Sequence, residues 1–367
     1  MKIMLLSAGS AIHTQRWANG LVAAGEEVVC VSQHDFLPEG WDQRVEQIRL
    51  PRSGLTGYFL NGRVVAQLFD RHGCELLNAH YATGYGVLAT RSGVRPRIVS
   101  VWGSDVYDFP QTSPVHRRML RQVLTSADAL ASTSMAMSAQ VMKVLDGEKL
   151  KRHIVITPFG VDTAQFFPAR EARPDSGPIV IGTVKTLESK YGIDTLIKAF
   201  AQLGPSHRGR PLQLRIVGGG SQREQLQVLA TSLGVHQRCE LLGPVPHAEV
   251  PSYLQGFDIF VAASRLDSES FGVAVIEASA CGLPVVVTDV GGLPEVVRAE
   301  ETGLVVRRDN PTALAAGLSR MLEDAALRRR FGEAGRAWVQ SRYEWRDCVQ
   351  MMCGHYRIIA AMAKGGR

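Results

Sequence analysis

Short apolar runs alternate along the chain with longer segments that have one apolar face. Residues 2–7 predict a buried strand, residues 13–24 a helix, and residues 27–32 a second strand. The helix should end at Gly25, because glycine readily adopts the left-handed conformation that often closes a helix. A strand, a helix and a strand in this order predict a parallel sheet with both faces covered.

The alternation continues and then restarts after a break. Further strands are predicted over residues 76–79, 98–101, 129–132 and 154–157, and helices over residues 62–72, 84–92, 115–126 and 134–145. Proline, glycine and charged residues crowd the segment between Pro158 and Pro178, which is typical of an interdomain linker. Beyond it, the predicted strands cover residues 179–184, 212–217, 239–242 and 284–288, and the predicted helices cover residues 193–203 and 222–233.

This order of elements predicts an α/β fold with two doubly wound, Rossmann-like domains. A length of 367 residues agrees with two domains, because single cores rarely grow that large. We assign residues 1–168 to the first domain and residues 169–344 to the second, and we expect residues 345–367 to form a last helix that packs back on the first. Ligands of such sheets bind at the carboxyl ends of the strands, so the domains are expected to face each other across a ligand-binding cleft.

Composition excludes several classes of protein. Hydrophobic residues make up 45% of the chain and charged residues 21%, which indicates a globular protein and excludes a disordered one. No run approaches the roughly 20 apolar residues of a membrane span, and the first residues lack the pattern of a secretory signal. We therefore expect a cytoplasmic protein. The 6 cysteines lack zinc-like spacing and are interpreted as reduced packing residues.

The net charge of +6 is modest and unevenly distributed. Residues 1–168 hold 17 Lys+Arg against 14 Asp+Glu, residues 169–344 hold 20 against 20, and residues 345–367 hold 4 against 1. No aromatic and basic motif for RNA accompanies this charge, so no nucleic acid is expected as a partner. The basic residues of the first domain include Arg117, Arg118 and Arg121. Two interpretations of them stay open, namely peripheral contact with the anionic inner face of the plasma membrane and a solvated arginine surface.

Two carboxylates flank a Phe-Gly turn in the second predicted domain. Glu269 precedes the turn, and Glu277 follows it after seven intervening residues, within an apolar segment that predicts a helix. A charge among apolar neighbours requires a partner or a ligand. Gly272 would expose backbone N–H groups at the start of that helix, where an anion is stabilised. The ordinary alternative for each carboxylate is a surface or capping role.

In these residues the sequence resembles the retaining GT-B glycosyltransferases of family 4. The stretch from Glu269 to Glu277 is similar to the E-x7-E signature of that family, and residues 278–295 contain its downstream continuation. Residues 156–168 resemble the segment at which the family crosses between its domains. The resemblance covers almost the whole chain. It implies a GT-B fold and transfer of a sugar from a nucleotide diphosphate sugar to an acceptor hydroxyl.

The resemblance also implies roles for residues of the second domain. Glu269 would accept hydrogen bonds from hydroxyls of the donor sugar, and Glu277 would bind the ribose hydroxyls, for which one carboxylate suits two adjacent O–H donors. Three backbone N–H groups at the turn would contact the sugar and the diphosphate. They belong to Phe271, Gly272 and Val273.

Two lysines follow the first predicted strand of the second domain. Lys185 and Lys190 lie on a loop at the ligand end of the sheet, where cations would neutralise a diphosphate leaving group. The segment resembles an Arg-Leu-x-x-x-Lys-Gly motif of the family, with Lys185 in place of the arginine and with Tyr191 inserted before Gly192. The ordinary alternative is two solvated lysines beside a helix.

A turn of three glycines over residues 218–220 permits close approach of another backbone. Gly218 and Gly219 are assigned to the nucleotide, and Val245 lies where the family resemblance implies contacts to the base. The chain lacks a G-x-G-x-x-G segment with an acidic ribose ligand, so NAD is not expected and no cofactor is assigned. No Asp-x-Asp cluster is evident, so no metal site is assigned either.

In the first domain, residues 8–14 resemble the first glycine-rich loop of the family, and residues 101–105 occupy the place of its His-Gly-x-Asp motif. Trp102 replaces the histidine there and offers a stacking face for a sugar ring. His13 is a catalytic candidate, with a capping or packing role as an equal alternative. The candidates on the acceptor or sugar side are Gly9, Thr14, Arg16, Trp102 and Asp105.

The reaction implied by the family is a same-face displacement in which the leaving phosphate helps to deprotonate the acceptor hydroxyl. Positioning and charge stabilisation would then come mainly from Lys185 and Lys190, with Glu269 and His13 completing the catalytic set. We expect a UDP- or GDP-linked hexose or N-acetylhexosamine as donor and a glycan or lipid-linked acceptor, in polysaccharide, lipopolysaccharide or glycolipid biosynthesis. Two alternatives stay open: a sugar-nucleotide epimerase or hydrolase, and a non-enzymatic two-lobed sugar-binding protein.

Overall fold

The computed structural model describes residues 1–146, 154–169 and 177–365, and the chain divides into two compact units. One unit contains Met1–Pro158 together with Arg346–Arg367, and the other contains Phe159–Trp345. Residues 159–168, which the sequence pattern assigned to the first domain, belong to the second unit. The Val161 N–H donates to the carbonyl oxygen of Tyr343 over 2.8 Å, which holds this segment there. Of the predicted linker, residues 170–176 lie outside the described residues.

Strands and helices alternate through the first unit. In chain order they are β1 (Lys2–Leu6), α1 (Ile12–Ala23), β2 (Glu27–Ser32), β3 (Glu46–Arg49), α2 (Gly54–Leu60), α3 (Gly62–Arg71), β4 (Leu76–His80), α4 (Gly84–Ser92), β5 (Arg97–Val101), α5 (Ser104–Tyr107), α6 (Phe109–Thr112), α7 (Pro114–Ser126), β6 (Ala129–Ser132), α8 (Met135–Leu145) and β7 (Ile154–Ile156). Local signals set several helix ends. Gly25 closes α1 with a φ of +90°, and the Ser113 side chain accepts a hydrogen bond from the His116 N–H at the start of α7.

The second unit repeats this plan. Its elements are β8 (Ile179–Val184), α9 (Ile193–Ala201), β9 (Ser206–His207), β10 (Arg210–Val217), α10 (Arg223–Ser232), β11 (Cys239–Gly243), α11 (Val250–Gln255), β12 (Ile259–Ala262), α12 (Val273–Ala280), β13 (Val285–Thr288), α13 (Leu293–Val296), β14 (Gly303–Val306), α14 (Pro311–Glu323) and α15 (Ala325–Arg342). Asn310 caps α14 and Asp324 caps α15, each by accepting a backbone hydrogen bond.

Each unit is built around one parallel sheet. The first has the strand order β3-β2-β1-β4-β5-β6-β7, and the second has β11-β10-β8-β12-β13-β14, with β9 pairing antiparallel to β10. The inner strands are buried on both faces, which explains their continuous apolar sequences. Because every strand of the main path runs in the same direction, the loops that follow the strands gather at one edge of each sheet.

Helix α16 (Trp345–Gly365) returns the chain to the first unit. Tyr356 is fully buried, and its hydroxyl accepts a hydrogen bond from Asn78 Nδ2 on β4 over 2.6 Å. Nearer the end of the helix, Lys364 Nζ lies 3.2 Å from Glu75 Oε2. Of the predicted last helix, residues 366 and 367 lie outside the described part of the chain. None of the described helices combines the length and the apolar character that crossing a bilayer requires.

The observed elements differ from the predicted ones mainly by omission. The ends of the predicted strands and helices agree within two residues. The sequence pattern did not specify β3, α2, α5 and α6 of the first unit, nor β9, α11, β12, α13, β14, α14 and α15 of the second. Strand β3 is short and largely exposed, so it carries no apolar alternation. Helix α2 contains Gly54 and Gly57 and exposes Leu55 and Leu60, so its sequence lacks a single apolar face.

Candidate active site

The two carboxylates of the E-x7-E segment lie on a loop and on a helix of the second unit. Glu269 lies between β12 and α12, and Glu277 lies on the second turn of α12. Gly272, the residue before that helix, has a φ of +98°, and a Cβ atom there would lie 2.7 Å from Leu293 Cδ2. Glycine is therefore required at this turn, and the first amide groups of α12 follow directly after it.

Glu277 is buried and has a partner. It is only 4% exposed, and His247 Nε2 donates to its Oε1 over 2.9 Å. His247 is about one-third exposed, and its ring lies 5.6 Å from the ring of Phe166. Because an ionised carboxylate only accepts, this bond requires a proton on His247 Nε2. Sequence reasoning missed His247. The available signal was its place four residues beyond β11, at the edge of the sheet where ligands bind.

Glu269 also has a partner, because it forms an ion pair with the predicted residue Lys185. Lys185 Nζ lies 2.6 Å from Glu269 Oε2, and Ser264 Oγ donates to the same oxygen over 3.3 Å. Burial lowers the pKa of Lys185, but the Glu269 carboxylate and then Tyr191 more than offset burial, so its pKa lies above the ordinary value. Lys185 is therefore a cation at neutral pH, paired with the carboxylate assigned to the donor sugar.

Both predicted lysines contact the aromatic ring of Tyr191. Lys185 Nζ lies 4.4 Å from the ring centroid, and Lys190 Nζ lies 4.9 Å from it. A short 3-10 helix of residues 189–191 carries Lys190 and Tyr191 and ends at Gly192, where a Cβ atom would lie 2.1 Å from the carbonyl oxygen of Ala263. The residue inserted into this loop thus makes cation–π contacts with both side chains.

The glycine turn after β10 packs against the loop that carries Lys185. A Cβ atom on Gly218 would lie 1.9 Å from the carbonyl oxygen of Lys185, and the Leu187 N–H donates to the carbonyl oxygen of Gly219 over 2.9 Å. The close backbone approach predicted at this turn is therefore made by a neighbouring loop of the protein. Val245 is half-buried on the adjacent loop after β11.

Phe271 packs inside the second unit. It is buried, and its ring lies 6.0 Å from that of Phe159 and 5.6 Å from that of Tyr343. The side chain thus packs in the core, so only the backbone of Phe271 is suited to contact a ligand. The predicted contact uses the backbone N–H and needs no more than that. Val273, the first residue of α12, is half-buried.

The cysteines are packing residues, as the sequence predicted. All six are buried thiols without disulfide partners. Burial raises the pKa of Cys30, Cys239 and Cys281 to about 12, so these thiols stay protonated and unreactive at neutral pH. Among the described residues, no group of three or more His, Cys, Asp or Glu side chains is arranged to hold a metal ion.

A cavity of about 480 Å³ lies in the first unit at the carboxyl ends of β1, β4 and β5. Trp102 and His13 of the predicted set line it, together with His80, which sequence reasoning missed. The rings of His80 and Trp102 are 4.6 Å apart, and that of His13 meets Trp102 edge to face at 6.0 Å. Arg16 is half-buried on α1 and is not among the lining residues.

Three residues predicted on the acceptor or sugar side are buried and make contacts within the first unit. Thr14 is fully buried, and its hydroxyl lies 2.7 Å from Ser7 Oγ. Gly9 is buried, and a Cβ atom on it would lie 2.6 Å from the ring of Phe36. Asp105 is fully buried and accepts hydrogen bonds from the backbone. The sequence could not reveal the contact of Gly9 with Phe36 or that of Asp105 with Ala82, because each joins elements that are apart in the chain.

Asp105 should contribute strongly to the stability of the first unit. Its carboxyl oxygens accept from the N–H groups of Ala82, Trp102 and Gly103 over 2.8, 3.2 and 2.9 Å. Burial raises the pKa of Asp105, and these amides oppose that rise. Asp105→Ala leaves the three donors unpaired and should lower the free energy of unfolding by about 3 kcal/mol. Urea denaturation measures this loss, and an equal loss for the exposed neighbour Asp108→Ala would contradict the assignment.

Comparisons with known proteins cover both units. The family described as Glycosyl transferases group 1 matches residues 167–338, and the family described as Glycosyl transferase 4-like matches residues 2–134. The GDP-mannose-dependent alpha-(1-6)-phosphatidylinositol monomannoside mannosyltransferase of Mycolicibacterium smegmatis is 32% identical over 274 residues, which cover 71% of this chain and 70% of that protein. The GDP-mannose-dependent monoacylated alpha-(1-6)-phosphatidylinositol monomannoside mannosyltransferase of Corynebacterium glutamicum is 32% identical over 321 residues, with coverages of 82% and 81%.

Solved structures share the fold at lower sequence identity. Sucrose-phosphate synthase from Thermosynechococcus elongatus has a TM-score of 0.83 at 23% identity and covers 99% of this chain and 100% of its own. The HepE protein of Anabaena, solved in complex with UDP, has a TM-score of 0.80 at 19% identity, with coverages of 97% and 100%. At these identities the likeness concerns the fold.

Proposed function

The chain belongs to family 4 of the GT-B glycosyltransferases, and from this premise we propose that it is a retaining, metal-independent hexosyltransferase. It takes the sugar from a nucleoside diphosphate donor and transfers it to a hydroxyl of a glycan or lipid-linked acceptor. GDP-mannose is the donor to test first, because two relatives are named as GDP-mannose-dependent mannosyltransferases. A UDP-linked hexose or N-acetylhexosamine is the second choice.

The observation that carries this proposal is that both carboxylates of the E-x7-E segment in the second unit have a side-chain partner. Lys185 holds Glu269 in the loop before α12, and His247 holds Glu277 on that helix. A buried carboxylate that is already oriented is suited to the two hydroxyls of a ribose, because it loses little freedom when they bind. We assign Glu277 to the ribose and Glu269 to the donor sugar.

In this proposal, cations and backbone N–H groups bind the diphosphate. Lys185 and Lys190, held at the ring of Tyr191, neutralise the charge that grows on the leaving phosphate. The N–H groups at the start of α12 add a second set of donors. That phosphate in turn accepts the proton of the acceptor hydroxyl on the same face of the sugar. Retention of configuration follows without a carboxylate nucleophile.

Donor hydrolysis in the absence of acceptor tests the function. The full chain is incubated with GDP-mannose, UDP-glucose and UDP-N-acetylglucosamine, and the nucleoside diphosphate and the sugar are followed by NMR. We expect slow release of one nucleotide, with the anomeric configuration of the donor retained in the first product, and we expect no loss of rate with EDTA. Conversion of the donor to an epimer would instead identify an epimerase, and binding without cleavage a binding protein. A strict metal requirement would contradict the assigned role of the lysines.

We further propose that three arginines of α7 bring the protein to an anionic membrane surface. Arg117, Arg118 and Arg121 border one shallow surface depression of about 530 Å³. Arg117 and Arg118 are exposed, whereas Arg121 is half-buried and lies 3.8 Å from Asp146. Basic clusters near an anionic lipid surface gain about 1 kcal/mol per residue.

Replacing all three arginines by glutamine should weaken binding to vesicles of phosphatidylcholine with phosphatidylserine. Each charge acts through a screened field with a Debye length of about 8 Å at physiological salt, so wild-type binding should decrease as salt rises and the variant should show a flatter salt dependence. Donor binding should not change. The control removes Arg63 and Arg71, two charges of α3. Equal vesicle binding by Arg117→Gln/Arg118→Gln/Arg121→Gln and wild type at low salt would assign these arginines to a solvated surface.

A further inference from the structure

Neighbouring loops hold the backbone of residues 185–192, which we call the lysine loop. The Arg265 N–H donates to the carbonyl oxygen of Lys190 over 2.9 Å. The Glu188 carboxylate accepts from the N–H and the hydroxyl of Ser221 over 2.9 and 2.7 Å, which joins the loop to the glycine turn after β10. No aromatic side chain takes part in these contacts. The loop should therefore keep its path when an aromatic residue in it is replaced.

The ring of Tyr191 contacts two cations of this loop. Lys185 Nζ and Lys190 Nζ lie 4.4 and 4.9 Å from its centroid, within the roughly 6 Å over which a ring face attracts a cation. The two nitrogens can therefore be no farther apart than the sum of these distances, although like charges repel each other. The attraction is stronger where water is excluded, and Tyr191 and Lys190 are half-buried while the Lys185 side chain is 22% exposed. The ring thus stabilises two positive charges at one place.

Lysine side chains need such support more than arginine side chains do. An ammonium group is a point charge on a flexible stem, whereas the guanidinium group of arginine is a planar fork that is already oriented. Lys185 stands where the Arg-Leu-x-x-x-Lys-Gly motif has an arginine, and Tyr191 is the residue inserted into that motif. Glu269 orients Lys185 from one side through an ion pair of 2.6 Å. The ring of Tyr191 supplies a second contact to Lys185 and connects it with Lys190.

We propose that Tyr191 is a positioning residue, whose ring holds the ammonium groups of Lys185 and Lys190 together as one binding site for two adjacent phosphate groups. Each ammonium group then donates to phosphate oxygen atoms, and the tyrosine itself does not contact the reacting atoms. The role belongs to the ring face and not to the hydroxyl. The inference rests on the proposed function only in taking the two phosphate groups to be the diphosphate of the donor. The contacts of the ring with the two lysines are properties of the second unit alone.

Binding of inorganic pyrophosphate to the full chain tests this site without a base or a sugar. Pyrophosphate is titrated by calorimetry into the wild type, Tyr191→Leu and Tyr191→Phe. Two cation–π contacts, each worth a factor of roughly two to five, should make Tyr191→Leu bind about tenfold more weakly. Tyr191→Phe keeps the ring and should bind within about twofold of the wild type. An equal loss in both variants, or a wild type that does not bind pyrophosphate, would overturn the proposal.

A series of fluorinated rings separates the attraction of the ring face from packing. Phenylalanine with one, two or three ring fluorine atoms is incorporated at position 191, and each fluorine withdraws electron density from the ring face while changing its size little. Because the attraction depends on that electron density, pyrophosphate affinity should fall at each step and approach that of Tyr191→Leu with three fluorine atoms. Equal affinity across the series would mean that the ring only fills space, and the positioning role would then be wrong.

NMR of the lysine side chains tests the contacts in the absence of any ligand. The chain has eight lysines, so their isotope-labelled ε-methylene groups give few signals. The signals of Lys185 and Lys190, assigned through Lys185→Arg and Lys190→Arg, should be shifted by the ring and should return to ordinary positions in Tyr191→Leu. Lys198, whose Nζ lies 3.0 Å from Asp194, is the internal control, and its signal should not move. Unshifted signals of Lys185 and Lys190 in the wild type would overturn the proposal.

Kinetics separate this inference from the proposed function. With a donor that the chain cleaves, Tyr191→Leu should lower kcat and kcat/KM together by about tenfold, because the ring acts on the lysines that stabilise the leaving diphosphate. Tyr191→Phe should restore both constants. Unchanged kcat in Tyr191→Leu would overturn the positioning role. If the wild type cleaves none of the donors, the proposed function is wrong, whereas pyrophosphate binding and the NMR signals decide the role of Tyr191 independently.

Discussion

Replacing Lys190 by alanine should lower kcat roughly a hundredfold and lower kcat/KM by a similar factor. The lysine belongs to the short helical turn after β8, and its Nζ lies 4.9 Å from the ring of Tyr191. In the proposed reaction its charge matters most when the bond between sugar and phosphate breaks, because negative charge then grows on the leaving diphosphate. Losing one preorganised group that stabilises such charge typically reduces kcat by roughly 10²–10³. Steady-state kinetics measures kcat and kcat/KM, with the donor that the chain cleaves in the hydrolysis test.

The matched control is Lys198→Ala. Lys198 is a lysine of the same unit, about half exposed, and its Nζ lies 3.0 Å from Asp194 on the same helix. Its removal should change neither constant by more than about twofold, because exposed pairs of this spacing contribute little. A Lys190→Ala variant that raises KM alone would mean that this lysine binds donor and transition state equally. Lys190 would then be a binding residue only.

Glu277→Gln should weaken the binding of GDP at least tenfold. The substitution keeps the shape of the side chain, and the amide oxygen of glutamine can still accept from His247. What is lost is the negative charge in the hydrogen bonds to the ribose, each worth roughly 1.5–3 kcal/mol. Glu277 is buried on α12, so no bulk water replaces those bonds. Calorimetric titration of the full chain with GDP measures the change, and UDP serves if the donor test selects it.

Glu249→Gln is the control for that measurement. Glu249 is an exposed carboxylate two residues beyond His247, so its neutralisation tests the general effect of charge near the site. We expect its GDP affinity to match the wild type. If Glu277→Gln binds GDP as tightly as Glu249→Gln does, Glu277 does not bind the ribose, and its pairing with His247 is structural.

Much of the fold was predictable because local signals coincide with the elements. The apolar run of β1, the amphipathic α1 and the glycine that closes α1 specify that region from a few neighbouring residues. The placement of Glu269 in a loop and of Glu277 on the following helix was predicted for the same reason. The Phe-Gly turn marks where the helix begins, and the apolar residues after it continue at helical spacing.

Other parts of the site could not be predicted, because they depend on groups that meet only after folding. Asp105 follows β5, like a ligand-binding residue, yet its carboxyl group accepts from the N–H of Ala82, 23 residues earlier in the chain. The partner of Glu277 comes from the loop after β11, 30 residues earlier in the chain. The contact between Asn78 and Tyr356 spans 278 residues. A motif indicates which residues have suitable chemistry, but it does not indicate which of them make their contacts inside the core.

The sequence by itself determined the class of this protein: two Rossmann-like units with strands buried on both faces, an E-x7-E segment on a loop and a helix, and lysines on the first βα loop of the second unit. These features follow from periodicity and turn chemistry, which act over a few residues. Only the tertiary structure decided how the charges are paired, that Tyr191 contacts both lysines, and that His80 and Trp102 line one cavity of the first unit. Those features depend on burial and on distances between atoms far apart in the chain, because hydrogen bonds and ion pairs form only where packing brings their partners together.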